Sequence, residues 1–135
     1  MCWKDIFPKE NRYFETENGI LYCCDCLEVL KKFPEESVDL VLTDPPYGVR
    51  KKKYNHPTTK PLGLMEDLIY FYSNRGDLVL DPFIGSGTTL VACEKLNRRW
   101  IGIEINPDYC EIAKRRILAL KDEKKWTQPK NFKAW

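Results

Sequence analysis

No apolar run in these 135 residues is long enough to cross a bilayer, which takes about 20 residues of helix, so a membrane-spanning protein is not expected. The first ten residues mix charge, aromatic rings and proline and lack the apolar stretch and cleavage site of a secretory signal. A soluble, cytoplasmic chain is the expectation. An excess of one charge is missing too: 22 basic and 20 acidic residues leave +2, too little to argue for a nucleic-acid partner by itself. Histidine is limited to His56, and one cysteine pair, Cys23 and Cys26, stands at ligand spacing. A zinc site needs a second pair or histidines, and Cys93 and Cys110 fall in helical stretches, so no metal is expected and the six cysteines read as reduced, partly buried thiols. There is no internal repeat and no low-complexity segment.

What is present is one domain's worth of chain, with 43% hydrophobic and 31% charged residues in an ordinary globular balance. The basic residues cluster: Arg50 to Lys53 form one run, and Lys121, Lys124, Lys125, Lys130 and Lys133 stud the tail. Such patches can steer DNA when the total is modest, although solvated surface lysines would look the same. Residues 1–120 read as the folded domain and 121–135 as a polar, basic tail.

Along the chain, 19–24 reads as a short strand ending at Asp25, and Leu27, Val29, Leu30 and Phe33 give a short amphipathic helix closed by Pro34. The run 38–43 is almost wholly apolar, as suits a parallel strand buried on both faces. From Pro61 to Tyr72, Leu64, Leu68, Ile69 and Tyr72 recur at helical spacing, and Arg75-Gly76-Asp77 ends that helix. Strands at 78–80 and 100–105 follow, with helices at 88–96 and 107–120, the last opened by Asn106-Pro107. Strand, turn, helix, strand, helix is the rhythm of an α/β domain with a parallel sheet and crossover helices.

Two turns carry chemistry. The strand at 78–80 runs into Asp81-Pro82-Phe83-Ile84-Gly85-Ser86-Gly87-Thr88-Thr89, where Gly85 and Gly87 allow the backbone close to a ligand beyond the strand's carboxyl end. The spacing is not the dinucleotide fingerprint, and no Gly-Lys-Ser/Thr follows to make a phosphate loop. The next strand ends in Glu104, whose carboxylate could accept both hydroxyl protons of a ribose. A nucleoside cofactor fits that pairing.

The second turn is Asp44-Pro45-Pro46-Tyr47, where two prolines end a strand and force an exposed loop. An exocyclic amine on a base is a poor nucleophile because its lone pair is delocalised into the ring. The Asp44 carboxylate can accept one N–H and the Pro45 carbonyl the other, drawing the nitrogen toward tetrahedral geometry and in line with a methylsulfonium. Tyr47 offers a ring for stacking on a base swung out of the duplex.

In this order the motifs resemble those of the amino-methyltransferases of restriction-modification systems, and of their β class in particular. The resemblance is carried by Asp25 with its following helix, by Ser37 to Leu40 running into 43–48, by His56-Pro57-Thr58-Thr59-Lys60-Pro61-Leu62, by 81–89, and by Gly102 to Ile105 continued by Tyr109, Ala113 and Arg116. It implies a Rossmann-like S-adenosylmethionine-dependent methyltransferase core that acts on adenine N6 or cytosine N4 of DNA. It further implies that Asp81, Pro82, Phe83, Gly85, Ser86, Gly87 and Thr88 form the cofactor turn, with Phe83, Gly85 and Gly87 at the methionine end. Glu104, followed by Asn106, would bind the ribose, Asp25 would lie near the adenine, and Thr58 and Lys60 would close over the cofactor carboxylate.

One departure is large. The family carries a long segment, with further strands and the part that reads DNA sequence, between the tetrapeptide and the His-Pro-Thr stretch; here Gly48 and His56 are separated by seven residues, 49–55. The sheet is then expected to be shortened and mainly parallel, with four parallel strands ordered 19–24, 100–105, 78–80, 38–43 and the last as an unpaired edge. Such an edge invites a homodimer or a separate recognition subunit.

Overall fold

The structure, a computed structural model, describes residues 2–43 and 61–131. Within them the elements run β1 (Arg12–Thr16), β2 (Gly19–Cys23), α1 (Cys26–Leu30), β3 (Leu40–Val41), α2 (Pro61–Tyr72), β4 (Leu78–Asp81), α3 (Thr88–Leu96), β5 (Arg99–Glu104) and α4 (Pro107–Asn131). The sheet order is β1-β2-β5-β4-β3, with β1 antiparallel to β2 and every other neighbouring pair parallel. The four parallel strands take the order expected from the motifs. No helix among the described residues is long and apolar enough to cross a membrane.

The fifth strand, β1, was not anticipated. The hairpin turns through Glu17 and Asn18, with Thr16 paired to Gly19. Gly19 has to be glycine because a Cβ there would lie 1.9 Å from the Trp100 ring.

The run at 38–43, expected to be buried on both faces, pairs over Leu40 and Val41 only, against Val79 and Leu80. Backbone bonds from Asp39 to Leu78 and from Leu42 to Leu80 extend the contact. Val41 is 61% exposed because no described strand lies beyond it.

Helices α2, α3 and α4 cover one sheet face, over a core that includes Met65, Ile69, Leu90, Trp100, Ala113 and Ile117. The other face buries Phe7, Ile20, Tyr22, Val29 and Ile101 under the N-terminal segment and α1. The buried stripe of α2 is set by Met65 and Ile69, whereas Leu64 and Tyr72, expected to face inward, are exposed. Of the four residues at helical spacing, Ile69 is buried and Leu68 half-buried as that spacing suggests, while Leu64 and Tyr72 fall outside the stripe that meets α3 and Met65 joins it. The helix expected to end at Leu120 continues to Asn131.

Polar groups at the amino ends of the strands are tightly paired. The Arg98 guanidinium donates to Ser73 Oγ at 2.9 Å and to the carbonyls of Leu96 at 2.9 Å, Ser73 at 2.7 Å and Ile69 at 3.4 Å. It thereby caps the carboxyl ends of α2 and α3 with one cation, where helix dipoles favour positive charge. Nearby, Glu94 accepts from Trp100 Nε1 at 2.9 Å, Thr16 Oγ1 at 2.7 Å and Asn18 Nδ2 at 3.4 Å, and pairs with Lys121 at 3.4 Å. Burial would raise the Glu94 carboxyl, but these bonds and the Lys121 charge win and hold it below its ordinary range.

Candidate functional site

At the opposite end, where β2, β4 and β5 finish, a cleft of about 260 Å³ is lined by Cys24, Asp25, Cys26, Pro82, Phe83, Glu104 and Ile105. Crevices beyond the carboxyl ends of parallel strands are where such sheets bind ligands. Four expected cofactor residues, Asp25, Pro82, Phe83 and Glu104, meet in this one cleft although up to 79 positions apart in the chain, from 25 to 104.

Glu104 is held ready. Its Oε1 accepts from the Gly85 amide at 3.0 Å and its Oε2 from the Asn106 amide at 2.9 Å. Each carboxylate oxygen keeps a further lone pair for a ligand hydroxyl. Asn106, given to the cofactor by resemblance, also caps α4, accepting from Asp108 N–H at 2.8 Å. Phe83 and Ile105 are 63% and 66% exposed, which leaves two apolar side chains on the cleft rim unburied. A vicinal diol over the carboxylate and a flat heteroaromatic ring against these side chains would match the donor set. The residues present therefore fit the nucleoside part of S-adenosylmethionine.

Asp25 caps α1 through its Oδ1, which accepts from Leu27 N–H at 3.0 Å, while staying on the cleft wall. Asp81 is fully buried beneath the turn and accepts from Phe83 N–H at 3.0 Å, which bends the chain out of β4. Gly85 and Gly87 have φ of +55° and +93°, values that side chains disfavour. Ser86 and Thr88 are turned the other way: both hydroxyls accept from Arg116 on α4. Asp44, Pro45, Pro46, Tyr47, Thr58 and Lys60 lie outside the described residues.

Cys24, Cys26 and Ile105 also line the cleft and were given no role beforehand. Ile105 was legible as the residue after Glu104; Cys26 had drawn attention only as half of a possible ligand pair with Cys23, and Cys24 only as one of six thiols. Burial raises the Cys24 thiol above its ordinary range.

A profile of the N6/N4 DNA methylase family matches residues 48–115, half of the chain. The chain belongs to this DNA methylase family. Among its methylase relatives, the type II methyltransferase M.HpaI of Haemophilus parainfluenzae is 54% identical over 67 residues, 50% of this chain and 21% of that protein. The DNA adenine methyltransferase YhdJ of Escherichia coli strain K12 is 49% identical over 63 residues, 47% of this chain and 21% of that one. The chain's matching segment thus spans about a fifth of the length of these relatives. The crystal structure of M1.HpyAVI superposes with a TM-score of 0.58 at 26% identity, over 73% of this chain and 98% of that one. The α/β methylase fold expected from the motifs is therefore the fold observed.

Proposed function

We propose that this DNA methylase chain binds S-adenosylmethionine in the cleft at the carboxyl ends of β2, β4 and β5 and transfers its methyl group to an exocyclic amine in DNA, adenine N6 first. The observation that carries this reading is the convergence of Asp25, Phe83 and Glu104 on one cleft, with the Glu104 carboxylate preoriented by two backbone amides. Bound there, the cofactor supplies an electrophilic methyl group on a positively charged sulfur.

The chain's own residues do the rest in this proposal. Glu104 accepts the ribose hydroxyl protons. Phe83, which the resemblance put at the methionine end, shares the cleft with Asp25 and Ile105, and in this proposal it joins Ile105 in shielding the adenine ring while Gly85 and Gly87 stay at the methionine end. Thr58 and Lys60 hold the carboxylate end of the cofactor. Asp44 and the Pro45 carbonyl accept the two hydrogens of the target amine, Pro46 keeps that turn rigid, and Tyr47 stacks on the extruded base. With the donor bound, Asp44 would take the surplus proton of the methylated amine and pass it toward solvent.

Adenine is favoured by the aspartate that opens the tetrapeptide and by the relative YhdJ, a DNA adenine methyltransferase. Because the matching segment is a fifth of its relatives' length, a cofactor-binding remnant without turnover is the second reading. The exposed edge at Val41 supports a covering chain, either a second copy or a separate recognition subunit. A DNA substrate also favours the cytoplasm as its place of action.

Incubation with labelled S-adenosylmethionine and unmodified DNA, followed by digestion to nucleosides, tests the reading. Labelled N6-methyl-2′-deoxyadenosine is the expected product, and Asp44→Ala abolishes it while leaving donor affinity nearly intact. N4-methyl-2′-deoxycytidine would move the target to cytosine. Donor binding without product would favour the remnant.

A further inference from the structure

We propose that Arg116 is a positioning residue for the donor site, shaping the glycine turn from the α4 side while Glu104 holds it from the cleft. This inference rests on the reading of the cleft as the S-adenosylmethionine site.

One nitrogen of Arg116, Nη1, reaches three oxygens of the turn: the Ser86 carbonyl at 3.0 Å, Ser86 Oγ at 3.3 Å and Thr88 Oγ1 at 3.2 Å. The carbonyl bond matters most. A peptide unit is planar, so fixing the Ser86 carbonyl also aims the Gly87 N–H, which donates to the Ile84 carbonyl at 2.9 Å and closes the turn. The neighbouring contact on α4 sets the spacing: a Cβ on Gly87 would lie 2.6 Å from the Ala113 Cβ. Residues 113 and 116 share a helix face, so a single strip of α4 both presses on Gly87 and grips Ser86 and Thr88.

On the other side, Glu104 Oε1 takes the Gly85 amide at 3.0 Å. The turn, with φ of +55° and +93° at its two glycines, is therefore held between a carboxylate and a guanidinium. The Ser86 and Thr88 hydroxyls each accept from Arg116, which ties their side chains to α4. In this proposal their contribution to donor binding runs through Arg116 and the backbone they help to fix. A lysine would place a point charge where the planar guanidinium presents a directed N–H, so the geometry asks for arginine.

Arg116 has no carboxylate within 4.0 Å among the described residues. Among the described residues, the partners of its half-buried charge are neutral oxygens of the turn. Loss of the guanidinium should thus loosen the part of the turn assigned to the methionine end and leave the ribose and adenine contacts in place.

Isothermal titration of the whole chain with S-adenosylhomocysteine and, separately, with adenosine tests this. Arg116→Met should weaken S-adenosylhomocysteine by about tenfold, as expected for one charge-assisted hydrogen-bond group, and adenosine by less than about twofold. Arg116→Lys should recover part of the loss. A merely structural role would lower both affinities together, in step with the folded fraction, and that result overturns the inference. So does an Arg116→Met protein that binds S-adenosylhomocysteine as tightly as wild type. If Arg116→Met does not fold, Arg116→Lys decides by the same contrast between the two ligands. A wild-type chain that binds neither ligand overturns the reading of the cleft, and this inference with it.

Discussion

Two glutamates ten positions apart, Glu94 and Glu104, stand at opposite ends of the parallel sheet and are treated in opposite ways. Glu94, buried at the amino ends of the strands, is satisfied by side chains: Trp100, Thr16, Asn18 and Lys121 converge on it from the β1–β2 hairpin, β5 and α4. Among the described residues Glu104, at the carboxyl ends, accepts from two backbone amides, and it faces a cleft with exposed Phe83 and Ile105 on its rim. A carboxylate surrounded by side chains binds the fold to itself. A carboxylate held by the backbone alone is stiff but keeps acceptor capacity for something that arrives later. The lesson is that the same residue type serves packing at one end of the sheet and recognition at the other.

The largest expected effect breaks the closed end. Glu94→Ala should cost about 2–3 kcal/mol in urea unfolding, because it strands the buried Trp100 N–H, while the exposed Lys121 loses little. A loss below about 1 kcal/mol would mean that the network is an ornament of the fold and the comparison fails. At the open end the balance should invert. Glu104→Ala should cost about 1 kcal/mol of stability, for the lost hydrogen bonds to two partly exposed amides, yet weaken S-adenosylhomocysteine by about 10- to 100-fold. Equal damage to folding from both substitutions would erase the distinction.

The smallest effect sharpens it by pH. The Glu94 carboxyl titrates lower in the folded chain than in the unfolded one. Its contribution is therefore present above the ordinary carboxylate range and fades as pH falls through the lower folded value. Urea midpoints measured from pH 7 down to pH 3 should fall less steeply in Glu94→Gln than in wild type. Identical slopes would show that another group governs the acid side.

Much of this was legible in order and little of it in orientation. Helices α2 and α3 begin and end where the apolar spacing and the turn residues place them, because prolines, glycines and local periodicity act within a few residues. The cofactor turn and Glu104 were legible for the same reason, each being a short motif at a strand end. What spacing could not supply was which edge of α2 would meet α3, where Met65 joins Ile69 while Leu64 and Tyr72 stay exposed. Nor could it show that Ser86 and Thr88 would turn toward Arg116, 28 to 30 positions away.

The sequence by itself determined the succession of elements, the two chemically specific turns and the residue types each one carries. Those are local matters, decided by backbone freedom at glycine, its restriction at proline, and side-chain periodicity. Only the tertiary structure decided that Asp25, Phe83 and Glu104 share a wall, and that Glu94 is enclosed while Glu104 is left open. Parallel strands joined by crossover helices bring their carboxyl ends together whatever their separation along the chain, and which side chains then face ligand or core depends on packing between elements that no local pattern encodes.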